Sequence, residues 1–174
     1  MEGYFIKQGN IGLRQIELSD RDAFIKWHND NRMREKIGVI FPFNNNVFME
    51  ICHTSCVAYP ANIWFAGCEY DQLIGIAGLH SIKYIQKNAE IAVFIGDEIN
   101  RGKGIGKVVL HLIEQYAFGI LNLHRLYALI YSNNDGALGF FKSCGWKREG
   151  LLKDAAFWNH HFRDVIVYAA LYQE

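Results

Sequence analysis

The sequence predicts a mixed α/β sheet with helices on both faces. Three observations carry that reading. Seven short stretches have strand character, beginning at Ile11, Ile63, Leu73, Asn88, Leu126, Trp146 and Phe162. Between them the apolar pattern switches to a helical period, most clearly over residues 105–117 and 134–144. The 174 residues are enough for one domain with a sizeable core, and no repeat, low-complexity stretch or linker divides them.

Taken in order, Ile11 to Glu17 is the first strand. Ser19, with Asp22 three residues on, reads as an acidic capping box that opens a helix through Phe24, Trp27 and His28. Residues 29–43 suggest a second short helix and a loop, and Val47 to Tyr59 a weakly patterned helix. Ile63 to Tyr70 and Leu73 to Tyr84 form a hairpin around Asp71-Gln72. Asn88 to Ile95 is the fourth strand and leads directly into Arg101-Gly102-Lys103-Gly104-Ile105-Gly106. The helix after it places Ile105, Val108, Val109, Leu112, Ile113, Tyr116 and Ala117 on one face. Leu126 to Tyr131 is the fifth strand. A helix over Asn134 to Cys144 turns Ala137, Leu138, Phe141 and Cys144 inward and stops at Gly145. Trp146 to Lys153 and Phe162 to Leu171 close the fold.

Composition removes several function classes. The chain is 51% hydrophobic and 21% charged, with a formal net charge of zero. No basic excess points to nucleic acid. No apolar run approaches the roughly 20 residues that span a bilayer, and residues 1–17 lack the layout of a secretory signal. A soluble, cytoplasmic protein without a membrane partner is expected. The four cysteines, Cys52, Cys56, Cys68 and Cys144, are too few for a disulfide scaffold. A closed zinc site needs four ligands, usually as two pairs; Cys52-His53-Thr54-Ser55-Cys56 has no second pair, so no metal is expected.

The glycine segment carries the chemistry. A helix start offers unpaired N–H groups and the positive end of its dipole. Gly102, Gly104 and Gly106 let backbone approach an anion, and Arg101 and Lys103 add charge. The combination suits a pyrophosphate. A dinucleotide fingerprint would space its glycines G-x-G-x-x-G after a first strand, and a P-loop would read G-x-x-x-x-G-K-S/T; neither fits. From the loop alone, a helix start with no ligand stays open.

Two motifs together resemble the GNAT family of acetyltransferases. Arg101, Gly104 and Gly106 match its pyrophosphate motif Q/R-x-x-G-x-G/A. Asn134, Ala137, Phe140, Phe141, Gly145 and Trp146 match its second pattern, N-x-x-A-x-x-L/F-Y/F-x-x-x-G-F/W. The likeness runs over essentially the whole chain and is strongest from Asn88 to Leu171. Residues 118–128 and 150–169 look like the branch containing ribosomal-protein N-terminal acetyltransferases and spermidine acetyltransferases. The resemblance implies a mostly antiparallel sheet splayed between the fourth and fifth strands. It implies acetyl-CoA as cosubstrate, held by residues 101–106, by the main chain of Val93, Phe94 and Ile95, and by Asn134 and Phe141.

The implied reaction is attack of a primary amine on the acetyl thioester. Glu90 matches the fourth-strand glutamate that acts as base in some members; a solvated carboxylate is the plain alternative. Glu69 and His80 are weaker candidates, and His124 reads as structural. Many members carry a tyrosine as general acid where this chain has Phe141. Asn134 serves equally as a helix cap. The polar run from Trp27 to Arg32 should shape the acceptor site, and Tyr59, Trp64, Tyr84 and Trp158 either line a pocket or fill the core. Spermidine acetyltransferases have several acids after the first helix; here Glu35 stands alone within residues 33–46. The acceptor is expected to be a protein N-terminus, an amino-sugar nucleotide or another small amine. The alternative is an acetyl-CoA-binding sensor or regulatory module with little catalysis. The apolar closing strands could support a homodimer.

Overall fold

The computed structural model describes residues 3–54 and 58–173. Its strands are β1 (Tyr4–Gln8), β2 (Ile11–Arg14), β3 (Ile63–Glu69), β4 (Gln72–Lys83), β5 (Asn88–Ile95), β6 (Arg125–Tyr131), β7 (Lys147–Trp158) and β8 (His161–Leu171). Its α-helices are α1 (Arg21–Asn29), α2 (Asn31–Ile37), α3 (Asn45–Thr54), α4 (Ile105–Gln115) and α5 (Asp135–Ser143). All eight strands form one sheet, ordered β1-β2-β3-β4-β5-β6-β8-β7. Every pairing is antiparallel except β5 with β6.

The eighth strand is β1, which the pattern did not suggest. It turns back onto β2 at Gly9, whose φ is +61°. Most of its side chains are exposed, and Phe5 is 56% exposed, so no buried alternation marks it in sequence. The β3–β4 turn sits one residue earlier than expected. Tyr70 and Asp71 are its central residues, both at positive φ (47° and 61°), as a mirror-image hairpin turn requires.

Helix α1 does not start at a Ser19 cap. A 3-10 turn over Leu18–Asp20 precedes it, and the Asp20 carboxylate accepts from the N–H of Glu17 at 2.8 Å. Asp20, 4% exposed, also takes a two-pronged ion pair from Arg14, at 2.7 and 2.8 Å. That pair fastens the end of β2 to the start of α1. Asp30 caps α2 by accepting from the N–H groups of Arg32 and Met33, and Asn44 caps α3 in the same way.

The sheet is covered on both faces. On one, Ile105, Val109, Leu110, Leu112 and Ile113 of α4 pack with Leu13, Phe65, Ala77, Leu79 and Ile91. Phe141 of α5 and Trp146 join this cluster, and the Trp146 indole donates to Glu114 at 2.7 Å, tying the start of β7 to α4. On the other, Phe24 and Trp27 of α1 and Phe48 of α3 cover Ala66, Cys68 and Ile76. β8 lies inside the sheet, with Val165, Ile166, Tyr168 and Ala169 buried in the chain's own core. β7 is the edge, exposing Leu151, Leu152 and Phe157. Among the described residues no helix is long and apolar enough to cross a membrane.

Candidate functional site

β5 and β6 pair at three positions, Asn88 with Arg125, Ala89 with Leu126 and Glu90 with Tyr127. Beyond Glu90 they part. β6 continues to Tyr131 paired with β8 alone, while Ile91 to Ile95 keep their β4 partners and have no strand on the other side. A backbone edge left open inside a sheet needs hydrogen-bond partners from elsewhere. In this V lies a cavity of about 690 Å³. Val93, Phe94 and Ile95 form its β5 wall, and Asn134, Gly136, Ala137 and Phe140 of α5 and its cap form the other. Met33, Lys36 and Ile37 of α2 close one side.

The glycine segment lies at the mouth. It does not follow β5 directly: Gly96, Asp97 and a 3-10 turn over Glu98–Asn100 intervene. Gly96 sits where a Cβ would fall 2.0 Å from the Trp27 ring, so it lets the chain leave β5 against α1. Gly102 and Gly104 take φ of +75° and +81°, a conformation that costs side-chain-bearing residues free energy. A Cβ on either would meet no protein atom within 4 Å. Among the described residues, the N–H groups of Gly102 to Gly106 have no protein acceptor, and the helical bonds begin with Lys107 donating to Gly104. Five successive free donors at the start of an eleven-residue helix form an anion cradle.

Charge at the cradle differs from expectation. The Arg101 guanidinium turns back, donating to the carbonyls of Ile95 (3.1 Å) and Gly96 (2.7 Å) and touching Met33 sulfur (3.2 Å). It holds the loop on β5 and reaches α2. Lys103 is exposed and does not line the cavity, and the Ile105 side chain is 4% exposed within the core. The cations that do line it are Lys107, Lys36 and Arg101. Lys107 is missed by a reading centred on glycine. Lys36 gives no sequence signal, because α2 reaches the V only through tertiary packing.

Asn134 caps α5, its Oδ1 accepting from the Ala137 N–H at 3.2 Å while its Nδ2 donates to the Lys36 carbonyl at 3.2 Å. It therefore joins α5 to α2 across the cavity. Phe141 touches the cavity, but its ring is 6% exposed and packed against Trp146, with centroids 4.9 Å apart. Gly106 is tight: a Cβ there would lie 3.2 Å from Phe140.

Glu90 does not line the cavity. It stands at the vertex of the V, where β5 last pairs with β6, on the sheet face covered by α1 and α3. Burial pushes its carboxyl up to about 7. His80, its partner across β4, places Nε2 3.6 Å from Glu90 Oε1. Burial lowers the His80 pKa, so near neutrality this is a carboxyl facing a neutral imidazole rather than a full ion pair. The Trp64 ring stacks on His80 at 5.8 Å and 13°. Glu69 is remote, bonded to Asn10 at the β2 end of the sheet. His124 is exposed.

Within the run from Trp27 to Arg32, Trp27, Asp30 and Arg32 line a hollow of about 280 Å³ beside Arg101, and several side chains also make structural contacts. The Trp27 indole donates to Asp97 at 3.2 Å, His28 stacks on Phe43 at 4.3 Å, and Asn29 exchanges two bonds with the Phe43 backbone. Glu35 is bound to Arg163 of β8 at 2.9 Å. Tyr59, Trp64 and Tyr84 meet around a second hollow, whereas Trp158 lies apart under the Arg34 guanidinium. Cys52 and Cys144 are half-buried and Cys68 is buried; Cys56 lies outside the described residues.

Known proteins provide a family match, two relatives and two solved structures. Residues 13–167 match the acetyltransferase (GNAT) domain family. A spermidine N(1)-acetyltransferase of Vibrio cholerae serotype O1 is 36% identical over 93 residues, 53% of this chain and 53% of the relative, so the alignment spans about half of each. An uncharacterized N-acetyltransferase, p20, of Bacillus licheniformis is 25% identical over 94% of both chains. Among solved structures, spermidine N-acetyltransferase from Vibrio cholerae in complex with CoA and spermine superposes with a TM-score of 0.83. It is 25% identical and covers 94% of this chain and 96% of that one. A dodecameric form of that enzyme gives a TM-score of 0.76 at 25% identity, covering 94% and 95%.

Proposed function

The chain belongs to the GNAT acetyltransferase family, and from that premise we propose that it moves the acetyl group of acetyl-CoA to a primary amine. The observation that carries the proposal is the V between β5 and β6 with five unpaired N–H groups at its mouth. The residues fit the cosubstrate: the pyrophosphate meets the N–H groups of Gly102 to Gly106, with Lys107 and Lys36 as counter-charges. The pantetheine arm then lies along Val93, Phe94 and Ile95, whose backbone has no β6 partner.

Acetyl-CoA supplies an activated thioester. An attacking ammonium must first lose a proton, and Glu90, at the vertex, accepts it directly or through one water. Its raised pKa makes it a better base than an exposed glutamate while leaving it partly ionised at neutral pH. A free N–H of β5 beyond Glu90 donates to the carbonyl oxygen as negative charge develops there. The amine nitrogen bonds to the acetyl carbon and gives up its second proton to solvent, the carbon–sulfur bond breaks, and solvent protonates the thiolate. A thiol near pKa 8.5 leaves without much acid assistance, which suits the absence of a hydroxyl at Phe141.

Phe141 is also what favours a second reading, a module that binds acetyl-CoA and transfers little. Thiol release measured over a panel of primary amines separates the two. Amine-dependent release above the hydrolysis rate is expected; tight binding of acetyl-CoA with no amine-dependent release would leave the binding module. The dodecameric relative further supports a homo-oligomer, which sedimentation would test.

A further inference from the structure

We infer that His80 is a second base of the transfer: it takes from the acceptor nitrogen the proton that Glu90 does not, and hands it to solvent. The inference rests on the acetyltransferase reading above and deepens it. An ammonium sheds two protons on its way to an amide, one before it attacks and one after the carbon–nitrogen bond forms. Glu90 takes the first. Burial raises its proton affinity, so it still holds that proton when the tetrahedral intermediate appears. The second proton needs another acceptor.

His80 is placed to be that acceptor. It lies opposite Glu90 in the β4–β5 pairing, with Nε2 3.6 Å from Oε1, so one nitrogen fits within hydrogen-bond reach of both. Strand alternation puts Ala92 next to Glu90 on the same face. Ala92 is half-buried and presents only a methyl group, so β5 puts no bulk in front of the pair. Among the described residues neither ring nitrogen of His80 makes a hydrogen bond, and the side chain is 29% exposed. It therefore has a lone pair to offer and a way out to water. On β6, beside Glu90, burial keeps the Tyr127 phenol protonated and Arg125 is bound to Glu149, so neither takes the proton.

The fold fixes the ring. A Cβ on Gly78 would fall 2.4 Å from the Trp64 ring, so the bare strand lets the indole lie over β4 and stack on the imidazole. Just after His80 the pairing with β5 is irregular. Ser81 takes φ of +53° there, and its N–H donates to the Asn62 side chain at 3.1 Å. Such irregularities re-aim neighbouring side chains, and a non-glycine residue at positive φ persists only where its surroundings hold it.

With its hydrogen on Nδ1, His80 accepts the proton at Nε2. The nitrogen keeps the electron pair of that N–H bond and becomes the amide nitrogen as the carbon–sulfur bond breaks. Bonded to a carbon that carries oxygen and sulfur, this nitrogen is a stronger acid than the free ammonium, so a weak base suffices. Burial lowers the proton affinity of His80, so the imidazolium then releases its proton to water.

The test compares the parent chain with His80→Phe and His80→Ala, following thiol release from acetyl-CoA with the fastest acceptor among spermidine, 2-phenylethylamine and glycinamide. Phenylalanine keeps a ring under Trp64 but accepts no proton, and alanine leaves space that free imidazole can enter. Both variants should lose about tenfold or more in kcat, with the acetyl-CoA dissociation constant changed less than about twofold. Imidazole in the buffer should raise the rate of His80→Ala about threefold or more and leave the parent unchanged. A parent-like kcat in either variant, or a loss in His80→Ala that imidazole does not reverse, would overturn the inference. Should His80→Ala not fold, kcat of His80→Phe decides. A parent that releases no thiol with any of the three amines would instead sink the acetyltransferase reading, and this inference with it.

Discussion

At the residue scale, Glu90 concentrates the chemistry. Its carboxyl is raised from 4.5 to about 7 by burial beside a neutral His80, with no strong hydrogen bond to offset the desolvation. As a base it is active when ionised, so kcat/KM should climb with pH up to about 7 and then level. Glu90→Gln should lower turnover roughly a hundredfold, and its residual rate should keep rising with pH as hydroxide replaces the base. A Glu90→Gln enzyme with the parent rate across pH removes Glu90 from the mechanism. Linkage gives a second readout. The folded chain holds this proton more tightly than the unfolded chain, so Glu90 costs stability as pH rises from 4.5 to about 7. Glu90→Gln should therefore be more stable than the parent by roughly 1–3 kcal/mol at pH 8, with the difference vanishing near pH 4, as urea denaturation would show. Glu90 is suggested in sequence by its match to the family's fourth-strand glutamate. Its environment is not, because His80, Trp64 and Tyr127 come from three other strands.

At the scale of elements, the β5–loop–α4 unit explains why the cradle is rigid. Gly96 passes under Trp27, Arg101 clamps the carbonyls of Ile95 and Gly96, and Gly102 and Gly104 turn the loop at positive φ. Gly96→Ala should destabilise the fold by roughly 2 kcal/mol or more, since neither the ring nor the backbone can yield 1–2 Å; an unchanged melting temperature would show that α1 adjusts freely. Charge is where sequence misleads. Lys103 sits inside the motif but faces solvent, while Lys107 lines the cavity. Lys107→Gln should weaken acetyl-CoA binding by about fivefold, with the loss shrinking at high salt, whereas Lys103→Gln should change it less than about twofold. Equal effects from both would show that the cofactor's phosphates lie further out along the loop.

For the whole molecule, the strand order makes the site. The one parallel pairing in the sheet is the one that opens, and β5 and β6 remain joined only through Asn88, Ala89 and Glu90. Helix α2 bridges the opening, held by Met33 to Arg101, by the Lys36 carbonyl to Asn134 and by Glu35 to Arg163. Apolar stripes recorded in sequence spacing mark β2 to β6, β8, α1, α4 and α5, whereas α2 and β7 bury no residue fully. Such spacing missed β1, whose side chains are largely exposed. It could not find the α2 wall, because α2 buries no residue fully and reaches the V through single contacts across the fold.

The V that opens beyond Glu90, with the glycine turn at residue 104 beside it, is the proposed seat of acetyl-CoA. Calorimetric titration of acetyl-CoA into the parent chain and into Gly104→Val tests it most directly. A Cβ there meets no protein atom within 4 Å, and valine resists φ of +81°. One acetyl-CoA per chain is expected in the parent, with a dissociation constant raised about tenfold or more in the variant. Equal affinity in the two, or no binding to the parent, would contradict it.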